Sequence, residues 1–282
     1  MMGKTLLAEL NPKDVATAPY AHLVADEAID KRHYDKLAAA FPAPEYFTKN
    51  LKQVDSNQAI RIRAIDIINN EDFSADWREF FRYHTSQSFW GDIVRVFGPE
   101  IRRAHPSIEE RSGKKLEDWI AKVRGAEGTA DIILDAQFVV NTPVTRLSSV
   151  RPAHVDDEDE IWAGLLYMRP KDDDSTGGNL DIYKFKGKPA FGGHYAPLSD
   201  VTTETSVAYG TNRFASFVNS PASIHGVTPR PPTTAYRRYI NLIALTPFKA
   251  FSLPAMPLLK QFSFWLERRG TKSRGVRAGT AP

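Results

Sequence analysis

Beyond Ala130 the chain stops reading as helix. Ile132-Ile133-Leu134, Gln137 to Asn141, Ile161 to Met168, Leu180 to Phe185, Phe214 to Asn219 and Tyr239 to Leu245 are short β-type runs, separated by clusters of Gly, Pro, Asp and Ser. No helical segment lies between them, and parallel strands need crossover connections that are usually helices. The pattern therefore predicts an antiparallel barrel or jelly roll. Asp172 to Gly178 reads as a polar turn whose paired glycines take positive φ. Residues 187–210 read as a long loop or a weakly patterned hairpin, of the kind that forms lids and binding loops.

The first half has a different texture. Residues 19–24 predict a short strand feeding an amphipathic helix over 30–41, where Tyr34, Leu37, Ala38 and Phe41 recur at three- and four-residue spacing before Pro42 and Pro44. A second helix is predicted from Ser74, with Trp77, Phe80, Phe81, Phe89, Trp90, Ile93 and Phe97 along its core side, ending at Gly98-Pro99. A third is predicted from Ser107 to about Val123, with Leu116, Trp119 and Ile120 inward. One domain over 1–266 follows, with helical support at 19–125 and a β core at 130–248. Leu258 to Leu266 predicts a short amphipathic helix. The basic tail 267–282, with Arg268, Arg269, Lys272, Arg274 and Arg277, has no apolar partner and is expected to be disordered.

Composition narrows the chemistry. There is no cysteine, which excludes disulfides, thiolate metal sites, iron–sulfur clusters and a cysteine nucleophile, so any metal must sit on His, Asp or Glu. The net charge of +3, from 37 basic and 34 acidic residues, is too even for a nucleic-acid surface spread over the whole chain. No run reaches the roughly 18 apolar residues of a membrane span, and no cleavage pattern follows the N-terminal segment. The cytoplasm is the expected compartment. No Walker, Rossmann or serine-hydrolase motif is present.

One constellation stands out. His154 and Asp156 are two apart in an extended stretch, so both side chains point the same way. His225 follows 71 positions after His154, far enough for the chain to cross a two-sheet fold and return. Two imidazoles and a carboxylate on one face of an octahedron leave open positions, the arrangement of non-haem Fe(II) oxygenases. Taken alone the pattern is weak, because 7 histidines and 34 acidic residues make chance matches easy. An exposed acidic loop is the plain alternative for His154 and Asp156, and His194 is the competing third ligand. Asp157 to Glu160 reads as a solvated turn. The stripe of aromatics at helical spacing reads as core.

The surrounding motifs discriminate. Arg151-Pro152-Ala153-His154-Val155-Asp156, the strand Ala163 to Met168, the turn Thr176-Gly177-Gly178-Asn179-Leu180, and Asn219 to Pro229 leading into Arg237-Arg238-Tyr239-Ile240 occur in one order. Over roughly residues 19–248 the chain resembles the 2-oxoglutarate/Fe(II)-dependent dioxygenase superfamily, near the bacterial prolyl 4-hydroxylase-like group. The resemblance implies a double-stranded β-helix, a jelly-roll and cupin-like core with an α-rich N-terminal half. It implies Fe(II) on His154, Asp156 and His225, with 2-oxoglutarate and O₂ as co-substrates and ascorbate as a stimulant. It also implies a basic residue on a late strand for the far carboxylate of 2-oxoglutarate, and release of succinate and CO₂.

Alternation along Arg237 to Ala244 puts Arg238 with Ile240, Leu242 and Ala244, and that apolar face is expected to line the interior, with Arg237 toward solvent. Arg238 is therefore expected at the co-substrate and Arg237 is its alternative. Tyr167 and Asn141 either hydrogen-bond co-substrate or substrate, or serve as packing residues. Arg151 either faces a substrate anion or is an ordinary surface arginine. The carboxylate ligand favours hydroxylation over halogenation, since a halide needs the position Asp156 would fill. The expected substrate is a small molecule, a carrier-bound intermediate, a glycan or a peptide. The alternatives are a non-catalytic cupin-like metal- or sugar-binding module, and a membrane-surface or nucleic-acid adaptor working through the basic tail.

Overall fold

Three central strands are so apolar on both sides that each must be covered twice. A computed structural model describes residues 5–262 and Phe264 and shows how. The strands are β1 (His22–Ala25), β2 (Ala59–Arg63), β3 (Ala121–Val123), β4 (Ile132–Asn141), β5 (Glu160–Met168), β6 (Leu180–Phe185), β7 (Val201–Val207), β8 (Thr211–Val218), β9 (His225–Val227) and β10 (Arg237–Leu245). The helices are α1 (Lys31–Ala39), α2 (Pro44–Thr48), α3 (Ala64–Ile67), α4 (Ala75–Tyr83), α5 (Gln87–Ala104) and α6 (Ile108–Ser112). The larger sheet runs β1-β8-β5-β10-β4-β2, with β3 added parallel to β4, and the smaller runs β7-β6-β9. All other pairings are antiparallel. This is the jelly-roll architecture expected from the strand pattern.

The doubly covered strands are β4, β5 and β10. On one face, Phe138, Trp162, Leu166, Ile240 and Leu242 pack beneath the helices in a core with Trp77, Phe81, Phe89 and Phe97. Phe138 is its hub, with ring centroids 4.6 Å from Trp77, 4.7 Å from Phe81 and 5.1 Å from Phe41. On the other face, Val139, Ala163, Tyr167, Phe217 and Tyr239 meet Leu180, Ile182 and Val207 of the smaller sheet. The candidate site residues border this second, intersheet layer.

Several local expectations change. The stretch from Ser74 divides into α4 and α5, because Ser86 starts a fresh helix by accepting a hydrogen bond from the Phe89 amide. Pro99 does not end α5, which continues to Ala104. Ile93, Phe97 and Ile101 are buried on one stripe, and that burial outweighs one missing hydrogen bond. The helix predicted over 107–123 is only α6. Gly113, at φ +69°, closes it, and the chain then makes a short turn at Leu116–Asp118 before entering the sheet as β3. Leu116 and Trp119 are buried as expected, with Trp119 stacked on Trp90, but Ile120 is exposed. Helical spacing there reported burial without a helix. The two runs at 132–134 and 137–141 are one strand, and the Asp135 between them is buried 3.5 Å from Arg63. Residues 187–210 contain β7, the hairpin partner of β6. Residues 258–262 are helical, while the basic tail lies outside the described residues. Among the described residues no helix is long and apolar enough to cross a membrane.

Candidate metal centre and its pocket

His154 lies on the segment before β5 and His225 opens β9, and the two are paired directly. His154 N donates to His225 O at 2.8 Å, and His225 N donates to His154 O at 2.9 Å. Side chains of directly opposed residues share a side, and the imidazole centroids are 4.2 Å apart. Asp156, two residues on from His154, completes the group. Its Oδ1 is 3.5 Å from His154 Nε2 and its Oδ2 is 3.4 Å from His225 Nε2. One ligand atom from each residue lies within 4.8 Å of the others, and all three residues are buried. Among the described residues this is the one group of three metal-binding side chains so arranged.

Both tautomers are set by the backbone. His154 Nδ1 is 2.7 Å from Pro152 O and His225 Nδ1 is 2.8 Å from Ser223 O. A carbonyl only accepts, so each Nδ1 carries the proton and each Nε2 presents a lone pair toward Asp156. His154 Nε2 is buried with no hydrogen-bond partner. Burial pushes the His225 imidazole down to about 3, keeping it neutral near pH 7. Burial acts to raise the Asp156 carboxyl, but the positive charge that His225 and His154 would carry if protonated, and that Arg151 carries permanently 2.9 Å from Oδ1, outweighs it and lowers the group; with both imidazoles neutral, Arg151 is the partner that keeps Asp156 ionised. Neutral imidazoles and an ionised carboxylate are the protonation states a cation requires. The residues present fit a metal of the Fe(II) or Zn(II) type.

A cavity of ≈ 90 Å³ opens beside the triad, lined by Arg237, Tyr239, Asn241, Leu180 and Phe217 among others. Arg237 is 1% exposed and donates to Gly178 O at 2.7 Å, Asn141 Oδ1 at 3.1 Å and Tyr167 Oη at 3.3 Å. Its guanidinium lies over the rings of Tyr239, Tyr167 and Tyr209. None of these partners is a carboxylate, so a buried cation stands here with only neutral acceptors. Asn141 Nδ2 is also buried and without a partner. Unspent donors on Arg237 and Asn141 suit an anionic oxygen ligand. Gly178, at φ +73°, is what lets the turn approach: a Cβ there would stand 3.0 Å from Arg237 Cδ.

The face assignment on β10 is thus the reverse of the expectation. Arg237 points into the intersheet cavity, whereas Arg238 faces the helical side, with its guanidinium over Phe41. The apolar face of Ile240, Leu242 and Ala244 does meet an interior, but it is the one under the helices. Choosing the more apolar face fails where both faces of a sheet are buried.

The remaining sequence candidates fall as follows. Arg151 lines the cavity and donates to Asp156 Oδ1 at 2.9 Å, which turns it toward the carboxylate of the triad. His194 lies outside the triad: its Nδ1 is 3.3 Å from Asp156 O and its Nε2 is 3.8 Å from Asp157 Oδ1. Asp157 is exposed. Glu160 was expected in a solvated turn, yet it is 8% exposed and lines the cavity, where burial and the nearby Asp156 push its carboxyl well up. Its position as the first residue of an apolar strand was the available signal. Arg61 on β2 joins the lining as well, and nothing in its local sequence marks it.

No protein-family model and no curated protein sequence matches the chain. Solved structures do. A prolyl 4-hydroxylase from Phytophthora capsici aligns over 93% of this chain and 70% of its own, at 14% identity and a TM-score of 0.50. A prolyl-4-hydroxylase from Pseudomonas putida aligns over 80% of this chain and 93% of its own, at 10% identity and a TM-score of 0.43. At such low identity the first of these likenesses is one of architecture alone: the chain shares the jelly-roll fold of that structure.

Proposed function

We propose that this chain is an Fe(II)- and 2-oxoglutarate-dependent oxygenase that hydroxylates an unactivated C–H bond. The observation that carries the reading is the adjacency of two otherwise unexplained features. A buried His-Asp-His group with free Nε2 lone pairs stands beside a buried arginine with no counter-ion. His154, Asp156 and His225 hold the metal, and Arg237 pairs with the far carboxylate of 2-oxoglutarate, assisted by Asn141 and Tyr167. Bound there, Fe(II) with 2-oxoglutarate and O₂ supplies C–H oxidation, with 2-oxoglutarate leaving as succinate and CO₂.

The residues of this chain bind, orient and exclude water. Pro152 O and Ser223 O keep the protons on Nδ1, so the two Nε2 atoms stay available. Arg151 holds Asp156 ionised and limits its rotation. Tyr167, Tyr209 and Tyr239 around Arg237 strip water from the carboxylate subsite, where a guanidinium–carboxylate pair gains in strength. Arg61, Glu160 and Asn241 give the rest of the cavity a polar lining, which favours a polar substrate: a small molecule, a carrier-bound intermediate, a glycan or a peptide side chain.

The test is anaerobic reconstitution with Fe(II), followed by O₂-dependent succinate release in the presence of candidate substrates. The wild-type chain is expected to take up about one equivalent of iron and to release succinate only when iron is present. His225→Ala should do neither. Equal iron uptake and equal succinate release by the two proteins would remove His225 from the metal site.

A further inference from the structure

Two separate pieces of chain deliver the metal ligands, and one side chain outside the triad holds both. Asn219 follows β8, is 0% exposed, and has every polar atom of its carboxamide engaged. Its Nδ2 donates to Asp157 O at 3.0 Å and to Glu160 O at 2.7 Å, the two carbonyls of the turn that leads from Asp156 into β5. Its Oδ1 accepts from Ser223 Oγ at 2.9 Å, and Ser223 is the residue whose carbonyl fixes His225 Nδ1. The backbone of Asn219 is pinned as well: its N–H donates to Ile161 O at 3.0 Å, and its carbonyl accepts from His105 Nε2 at 2.9 Å. Ser223 Oγ also receives the Ser220 N–H and lies 2.8 Å from Ser220 O, so its one proton is shared between that carbonyl and Asn219 Oδ1 and closes the turn before His225.

We infer that Asn219 is the positioning residue of the metal centre, fixing the His154/Asp156 arm relative to the His225 arm. This rests on the metal assignment proposed above. Only a carboxamide does both jobs, because one edge must offer two N–H groups to carbonyls while the other accepts from a hydroxyl. A carboxylate of the same shape would turn an oxygen toward Asp157 O and Glu160 O and repel both. A network tied at this many points restricts the ligand set on both arms, and although Asn219 touches no ligand directly, the roughly 10–100-fold worth in metal affinity of groups bonded directly to metal ligands bounds its effect from above.

The experiment is Co(II) titration of the full chain, followed through the visible d–d absorption and compared with thermal unfolding of the metal-free protein. Asn219→Asp should weaken Co(II) binding by up to about 10–100-fold and shift the band positions or intensities. Ser223→Ala, which removes the hydroxyl that Asn219 Oδ1 accepts from together with its bonds to Ser220, leaves both Nδ2 bonds of Asn219 in place and should give a smaller loss with the same spectral trend. The stability control is Trp90→Phe, which deletes the hydrogen bond from Trp90 Nε1 to Leu116 O in the helical layer and should lower the unfolding temperature without touching the spectrum. If Asn219→Asp does not fold, Ser223→Ala decides. Wild-type spectrum and affinity in every variant that folds would overturn the inference. A wild-type chain that binds no Co(II) or Fe(II) would instead sink the metal assignment, and the clamp with it.

Discussion

Alternate residues of β10 look into two different interiors. Ile240, Leu242 and Ala244 pack under the helices with Phe138 and Trp162, while Arg237 and Tyr239 face the smaller sheet and line the cavity beside the triad. The first interior is built from apolar bulk and contributes stability. The second keeps a buried cation without a counter-ion and an unpaired amide, whose costs are met only if ligands arrive. The more polar face is therefore the one to which the proposed chemistry is assigned, and the more apolar face is its foundation.

Changes on each face should be separable. Phe138→Ala is expected to cost about 3–5 kcal/mol in urea unfolding while leaving iron stoichiometry intact in the folded fraction. His225→Ala should do the opposite, abolishing iron uptake with little change in the urea midpoint of the metal-free chain. A folded Phe138→Ala protein unable to bind iron would show that the two interiors are one cooperative unit.

Acid should act on the foundation as well as on the cavity side, where His225 is lowered too. Burial lowers His84 and His105, both at helix ends, to about 4 from an ordinary 6.5. Between these values the unfolded chain takes up protons that the folded chain refuses. Stability is thus fully present above about pH 6.5 and is lost as the pH falls toward 4, by up to about 3 kcal/mol per histidine. Urea midpoints of the metal-free protein across pH 4–7 check this, and His84→Gln should flatten part of the slope. A slope unchanged in that variant would assign the acid sensitivity to other groups.

The register of β10 gives a sharper test of the same contrast. Arg237→Ala should raise the apparent KM for 2-oxoglutarate roughly a hundredfold, corresponding to ~3 kcal/mol for a truncated buried pair. Arg238→Ala should change it less than about threefold, as expected of a partly exposed cation over an aromatic ring. The reverse ranking in a steady-state assay would return Arg238 to the co-substrate. Smallest of all, Asp157→Asn should leave iron affinity within about a factor of two, since its side chain is exposed and turned away from the triad.

Much of this was legible in the sequence because it depends on short-range rules. Period-two runs give strands, the three- and four-residue spacing of Tyr34, Leu37, Ala38 and Phe41 gives a helix, and residues 154 and 156 of an extended segment share a side. The Gly177-Gly178 turn, with φ of +74° and +73°, was equally readable. What could not be read depends on what covers each face. Which side of β10 meets the cavity is decided by helices more than a hundred residues away. Glu160 looks like the end of an acidic loop until the cavity is seen. Asn219 joins segments with no local relation to one another, and Pro99 survives inside a helix because of the aromatic stripe it shares a surface with.

The backbone pairing of His154 with His225 bears on how the protein is made. Closing the 71-residue span between them costs roughly 4 kcal/mol of chain entropy, and non-local closures of this kind come late in folding. A nascent chain that has not yet emitted residue 225 offers only a His-x-Asp pair, a poor chelator. If the site takes iron as proposed, capture is deferred until β9 has paired with the segment ahead of β5. On the proposed metal assignment, a chain that stops short of residue 225 would be spared a redox-active metal, and a metal held tightly would report that the two ligand arms have paired.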